Sequence, residues 1–359
     1  MKPGARQAVV LVGGEGTRLR PLTNNRPKPL LPVLGRPCVE YMLGSLASAG
    51  VEEIILSCGY RSDAVEAALG KGRGLGIDVS FAYEDRPMGT AGAVKLLEDR
   101  LDETSLVIYG DTLMDIDLAQ VVSSHRKNKA TVTIALTEVE RPTEYGIVGL
   151  DETSRIVRFK EKPKADEVFS NLINAGVYVM QKEAMSYVPK ATKFDFSKNL
   201  FPILLEAGRP LFGSKLEGMW KDIGRPADLL DANLKMAARK SAAMKVPGAT
   251  VEGHLAGSGF RADGATLIGP SYLGKGTAVA RGATIERTVV GDECSIREGA
   301  RIEGSLLMNG CTIGPNAKLK GCVLGEGCNV GESSVLVDCV VADGRVIEPC
   351  MTLSSATLD

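Results

Sequence analysis

From residue 273 to residue 353 a single aliphatic side chain recurs at gaps of six, six and five: Leu273, Val279, Ile285, Val290, Ile296, Ile302, Leu307, Ile313, Leu319, Leu324, Val330, Leu336, Val341, Ile347 and Leu353. Every third position therefore returns after 17 residues, the pattern of three short strands per turn, each sending one side chain inward. The cysteines keep the same period. Cys294, Cys311 and Cys328 are 17 apart, as are Cys322 and Cys339, so each set stacks on one face or corner of successive coils. Ala283, Ala300, Ala317 and Ser334 share another small-residue position. A stack of small buried thiols accounts for the cysteines more simply than a metal ladder or disulfides. Extrapolating backward gives Val251, Ala256, Ala262 and Ile268 as an imperfect first coil.

A second segment, residues 8–33, carries the chemistry. Residues 8–12 are an unbroken apolar run, suited to a strand buried on both faces of a parallel sheet. Gly13, Gly14 and Gly16 then remove three side chains from a tight turn, so backbone N–H groups can approach an anion. Thr17 adds a hydroxyl, and Arg18, Arg20, Arg26 and Lys28 supply cations. A dinucleotide fingerprint needs a third glycine where Leu19 stands, and Pro21, Pro27, Pro29 and Pro32 exclude a helix interior. No Lys-Ser or Lys-Thr completes a Walker loop here; the near miss at 269–275 lies inside the repeat. A basic, proline-stiffened loop after a glycine turn suits a triphosphate laid across the end of a sheet.

Strand and helix alternate from here for almost two hundred residues, which predicts an α/β domain with a largely parallel, doubly wound sheet. Residues 84–93 hold a second glycine turn, where Gly89, Thr90 and Gly92 can bring backbone groups to a base edge; an ordinary strand-to-helix loop would read the same way. The buried strand at 106–109 ends in Gly110 and Asp111. An aspartate at a strand's carboxyl end can hold Mg²⁺ against phosphate oxygens, or can simply cap a turn. Asp115 and Asp117 read as loop and helix-capping residues. Residues 144–148 and 159–163 bracket a hairpin, 174–179 is another strand, and 201–207 a core helix. Asp222 falls in a turn before a helix at 227–238, beside the sole tryptophan, Trp220, which reads as core packing.

Composition narrows the function. The 359 residues suffice for two domains, assigned here as 1–240 and 251–359 joined by a linker at 241–250. A formal charge of −1 with no charged tail argues against nucleic acid, no apolar run reaches membrane length, and residues 1–7 lack a signal core, so a cytoplasmic protein is expected. With only His125 and His254 present, acid, base and metal chemistry must rest on carboxylates, Lys and Arg.

The order Gly-Gly-x-Gly-Thr-Arg-Leu-Arg-Pro-Leu-Thr at 13–23, followed by Pro27-Lys28-Pro29-Leu30, resembles the signature of the sugar-1-phosphate nucleotidylyltransferases. The Gly89-Thr90-Ala91-Gly92 turn looks most like the mannose-1-phosphate guanylyltransferase branch, and the repeat resembles the hexapeptide left-handed parallel β-helix. The resemblance implies a Rossmann-like nucleotidyltransferase domain followed by that β-helix. It implies nucleotide contacts from Leu11, Gly13, Gly14, Gly16, Thr17, Arg18, Gly89 and Thr90, and catalytic roles for Arg18, Lys28, Asp111 and Asp222, the two aspartates holding Mg²⁺. Sugar-phosphate contacts fall to Gly146, Glu161, Lys162 and Asn174. The substrates implied are an NTP, GTP favoured, and a sugar 1-phosphate; the β-helix implies a homo-oligomer. Glucose-1-phosphate uridylyl- or thymidylyltransferases share the other motifs, a non-catalytic regulatory subunit is a further class, and an acyltransferase would need a histidine in the coils, where His254 is a poor candidate.

Overall fold

The apolar run at the start of the signature folds as strand β1, Gln7–Leu11, with Ala8, Val9 and Val10 fully buried. The computed structural model describes residues 5–13, 16–59, 62–70, 76–239, 249–251 and 254–359. The chain forms two units, one of Met1–Gly14 with Tyr41–Trp220, the other of Glu15–Glu40 with Lys221–Asp359. Glu15–Glu40 and the helix Pro226–Ala237, which precede the repeat in sequence, thus go with the coils. Gly14 and residues 241–248 of the expected linker lie outside the described residues, while Ala249–Val251 is a strand.

In the first unit β1 is joined by β2 (Glu53–Cys58), β3 (Asp78–Tyr83), β4 (Thr104–Tyr109), β5 (Val132–Glu138), β6 (Gly146–Leu150), β7 (Ile156–Glu161), β8 (Leu172–Gln181) and β9 (Leu211–Lys215). The order β7-β6-β8-β4-β1-β2-β3 places β1 between β4 and β2, parallel to both. β8 runs antiparallel to β4 and β5, so the sheet is mixed with a parallel half, and it is this half that carries the signature strand. β6 and β7 form the expected hairpin. Asp117 caps the helix Leu118–Asn128 by accepting from Ala119 N–H at 2.9 Å. Asp115 is not a loop residue: it lies in the strand Thr112–Ile116 and is fully buried.

His125, on the Leu118–Asn128 helix, is 1 % exposed. Its Nδ1 lies 3.1 Å from Thr133 Oγ1 and its Nε2 2.8 Å from Gln181 Nε2. An amide nitrogen can only donate, so Nε2 accepts and the ring is neutral. Burial accordingly pushes the imidazole down to about 4 from its ordinary 6.5. Because the folded value is depressed, the associated stability is present in full above pH 6.5 and is lost as pH falls through 4. The loss is about 3 kcal/mol. Urea unfolding followed by Trp220 fluorescence should therefore show wild type losing that much more than His125→Gln between pH 6.5 and pH 4; equal losses would refute it.

In the second unit the 17-residue period becomes three parallel sheets. One runs through Tyr272–Leu273, Val289–Val290, Leu306–Leu307, Val323–Leu324, Val340–Val341 and Thr357–Leu358; the others run through the Thr284–Glu286 and Ser295–Ile296 strands and their equivalents. Leu273, Ile285, Val290, Ile296, Leu307, Ile313, Leu324 and Val330 form one dry column. The first coil departs from the extrapolation. Leu267, not Ile268, pairs with Ile285, an offset of 18, and Ile268 is exposed. The bridge Arg261–Ala278 still keeps the offset of 17, so the register slips by one between them.

The corner thiols work as hydrogen-bond donors. Cys294, Cys311 and Cys328 each donate to a carbonyl 14 residues on, at 3.2, 3.1 and 3.0 Å, as Thr277 Oγ1 does to Gly291 O at 2.7 Å. Hydroxyl and thiol are thus interchangeable on one ladder, and burial pushes the Cys322 thiol up to about 11, away from the thiolate a metal would need. Only Cys350 of the eight is exposed.

Candidate active site

The cationic ribbon, in the second unit, is folded back on itself. Gly16 takes a left-handed backbone with φ of 64°, and a side chain there would stand 3.1 Å from Lys28 Cβ and 3.2 Å from Thr23 Cγ2. Thr23 Oγ1 donates to the Gly16 carbonyl at 2.9 Å. The turn Thr17–Leu19 buries Leu19 and leaves Thr17 and Arg18 exposed. A second short turn, Lys28–Leu30, follows Pro27.

The Lys28 side chain is only 7 % exposed, and its Nζ lies 3.4 Å from Asp222 Oδ1. Two residues nearly two hundred positions apart, each singled out from sequence, therefore meet. Asp222 ends the strand Gly218–Asp222 and keeps 26 % of its side chain exposed. A side chain on Gly224 would stand 3.5 Å from Arg18 Nη2, so the Arg18 guanidinium overlies the same turn. Arg26 is different. It bonds Glu326 and Asp343 of the coils at 2.7 and 2.9 Å.

In the first unit, the Gly110 N–H donates to Leu11 O at 2.9 Å, and a Cβ on Gly110 would stand 2.5 Å from Val12 Cγ1. Glycine is obligatory there, and half-buried Asp111 follows directly on the residue bonded to the carboxyl end of β1. Gly13 itself is exposed, and only Gly59 N comes within 4 Å of where its Cβ would be. Packing among the described residues does not require glycine at 13, unlike at 110.

The second glycine turn is explained by the protein's own packing. Gly89 has a φ of 73°, and a Cβ would lie 2.8 Å from Phe194 O; one on Gly92 would lie 2.7 Å from Thr192 O. Both glycines admit the 192–195 backbone, with Gly92 N–H donating to Phe194 O at 2.9 Å. Thr90 Oγ1 accepts from Phe196 N–H at 2.9 Å. Tyr109, its hydroxyl bonded to Thr90 and Tyr178, is pushed up to about 12 chiefly by burial and stays neutral.

Gly146 and Glu161 are adjacent: a Cβ on Gly146 would stand 2.8 Å from Glu161 Oε2. Burial pushes the Glu161 carboxyl up, with Lys162 and Lys198 pulling the other way and Ser197 bonded to it. Lys162 is exposed at a φ of 43°, its N–H on Tyr145 O at 2.9 Å. Asn174 Nδ2 donates to Tyr178 Oη at 2.8 Å and to Ser197 Oγ at 3.1 Å. Ser197 and Lys198, which sequence reasoning missed, ride on a single π turn, Phe196–Leu200. Trp220 is half-buried, donating to Ala175 O at 2.8 Å and meeting Tyr145 edge-on.

Among the described residues no group of three or more His, Cys, Asp or Glu could hold a metal unaided. Taken one by one, the carboxylates of Asp111 and Asp222 are of the hard-oxygen chemistry that Mg²⁺ takes, an ion that accepts one or two carboxylates and leaves the rest of its shell to phosphates and water.

A sequence model described as nucleotidyl transferase matches residues 7–239, and one described as the EIF2B subunit epsilon LbH domain matches residues 260–353. The chain belongs to the nucleotidyl transferase family, and its coils are a left-handed β-helix. It is 34 % identical to a mannose-1-phosphate guanylyltransferase of Mycobacterium tuberculosis over 79 % of each chain. A UTP–glucose-1-phosphate uridylyltransferase of Synechocystis is 29 % identical, over 79 % of this chain and 82 % of that one. A mannose-1-phosphate guanyltransferase of Saccharomyces cerevisiae is 35 % identical over 69 % and 70 %. The substrates of such enzymes are a nucleoside triphosphate and a sugar 1-phosphate, and the family works with a divalent cation. Among the described residues no helix is long and apolar enough to cross a membrane.

Proposed function

We propose that the chain joins GTP to mannose 1-phosphate, giving GDP-mannose and pyrophosphate, with Mg²⁺ as the divalent cation. A phosphate oxygen of the sugar 1-phosphate attacks the α-phosphorus of the nucleotide in line, that P–O bond forms, and the bond to the β-phosphate oxygen breaks. The nucleophile already carries charge, so the chain supplies position and neutralisation rather than a strong base. Arg18 and Lys28 meet the triphosphate; the glycine turn of 13–16 admits the nucleotide, with Leu11 and Thr17 at its edges. Gly89 and Thr90 face the base. Glu161, seated on Gly146, accepts from sugar hydroxyls with Asn174 beside it, and Lys162 meets the sugar phosphate. Asp111 and Asp222 would hold Mg²⁺, which when bound neutralises phosphate oxygens and polarises the α-phosphorus. Self-association through the coils belongs to the same reading.

The observation that carries it is the Lys28–Asp222 pair, in which the signature ribbon's ammonium is buried against a carboxylate from the strand Gly218–Asp222. Desolvating a lysine is costly unless it is compensated. A lysine held there by a carboxylate is a donor already in place for anionic oxygens. Pyrophosphate release should be measured across four NTPs with mannose 1-phosphate and with glucose 1-phosphate. GTP with mannose 1-phosphate is expected to give the highest kcat/KM. Preference for UTP or dTTP with glucose 1-phosphate would move the chain to the activity named for the Synechocystis relative, and no release with any pair would leave a binding subunit.

A further inference from the structure

The four cations of the signature ribbon are not equivalent. Arg26 donates from Nη1 to Glu326 Oε1 at 2.7 Å and from Nη2 to Asp343 Oδ2 at 2.9 Å, and its side chain is only 15 % exposed. Asn25 Nδ2 reaches the same Asp343 oxygen at 3.3 Å. These are acids of the coils, 300 and 317 residues away in the chain.

Glu326 and Asp343 stand 17 residues apart, at one corner position of adjacent coils. Neighbouring strands lie ~4.8 Å apart, a span that the two arms of one guanidinium bridge with one N–H to each acid. The corner also has a ladder of its own. Asp292 Oδ1 accepts from Lys275 N–H, Asn309 Oδ1 from Asp292 N–H, and Asp343 Oδ1 from Glu326 N–H, at 2.7, 2.9 and 2.8 Å. That bond fixes the Asp343 carboxylate, leaving Oδ2 turned to Arg26. The ladder works with asparagine at 309, so it does not require the charge at 343.

Beyond Arg26 the ribbon has little freedom. Pro27 and Pro29 lock φ on either side of Lys28, and Gly16 packs on Lys28 Cβ. An anchor at 26 therefore sets where the residue two positions on can lie.

We infer that Arg26 is a positioning residue: clasped by Glu326 and Asp343 of two successive coils, it holds the ribbon so that Lys28 is presented to the nucleotide triphosphate in one fixed place. The β-helix thereby takes part in nucleotide binding without touching the nucleotide. The inference rests on Lys28 being a phosphate ligand, as proposed above.

The test uses the full chain and GTP, or whichever NTP the pyrophosphate assay selects, with affinity read by titration calorimetry without sugar phosphate and KM read for each substrate separately. Arg26→Ala should weaken NTP affinity and raise its KM about tenfold, with KM for the sugar phosphate within twofold, both read below the onset of thermal unfolding, because the coil acids lose their partner and the thermal midpoint falls. Arg26→Lys should recover part of the loss. Asp343→Asn, which keeps the ladder acceptor, should also weaken NTP binding, and the Arg26→Ala, Asp343→Asn double variant should be no worse than the poorer single one. Unchanged NTP affinity in Arg26→Ala, or equal damage to both KM values, overturns the positioning role. Lys28→Ala separates the two levels. If it weakens NTP binding while Arg26→Ala does not, the clasp alone fails; if Lys28→Ala has no effect, the reading of the ribbon fails with it.

Discussion

Asp111→Asn should lower kcat by about a thousandfold or more while leaving the fold intact. The backbone at 111 is set from outside the side chain: Gly110 N–H is fixed on Leu11 O, and Val12 Cγ1 fills the space any residue but glycine would need at 110. Asparagine has the same shape, so strand β4 and the turn after it should survive. What is removed is one negative charge, and a divalent cation bound through one or two carboxylates loses much of its hold when one becomes an amide. Asp115→Asn is the control, because that carboxylate is fully buried in the neighbouring strand and has partners there. It should unfold more easily, since the substitution alters a fully buried side chain that has an interaction of its own, yet retain turnover while folded. Near-normal kcat for Asp111→Asn at saturating Mg²⁺ would remove Asp111 from the metal site.

The coils were legible because their sequence rule is redundant. One aliphatic position per strand, repeated at fixed gaps, leaves a single arrangement in which Leu273, Ile285 and Ile296 all point inward. The rule failed at the first coil, where Leu267 and Ile268 are adjacent and equally apolar. Nothing in composition says which faces in once a turn changes length, and the register with Ile285 decides it. The parallel half of the first sheet was legible from alternation of buried runs and glycine turns. Its antiparallel half was not, because β8 reads as another apolar strand whichever way it runs.

At the site, the residues read from sequence are those whose type is fixed by local backbone: glycines at strand ends and the aspartates that follow. Asp195, Ser197 and Lys198 escaped because they reach Thr90, Asn174 and Glu161 from a π turn and the residue before it, whose neighbours in sequence carry no motif. Arg26 was visible only as one cation among four. Its commitment to Glu326 and Asp343 is a long-range fact, and charge counting cannot distinguish a cation waiting for phosphate from one already paired.

The Gly89 turn shows the converse, a motif whose glycines have a structural cause before any functional one. Gly89→Ala should destabilise the first unit by roughly 2–5 kcal/mol, combining about 1–2 for a left-handed backbone with about 1–3 for overpacking. The second term is hard to relax, because the new Cβ would meet the Phe194 carbonyl, which is backbone and already bonded to Gly92 N–H. Gly92→Ala meets Thr192 O in the same way but without the φ penalty, so it should cost about 1–3 kcal/mol, less than the first. Both should also weaken NTP binding, since the irregular segment at 192–195 can yield only by moving Asp195 and Phe196, the partners that hold Thr90. Urea unfolding read through Trp220, alongside NTP titration of the folded variants, separates the causes. If both substitutions left stability untouched and abolished nucleotide binding, the glycines would be there for the base alone, and the packing explanation would fall.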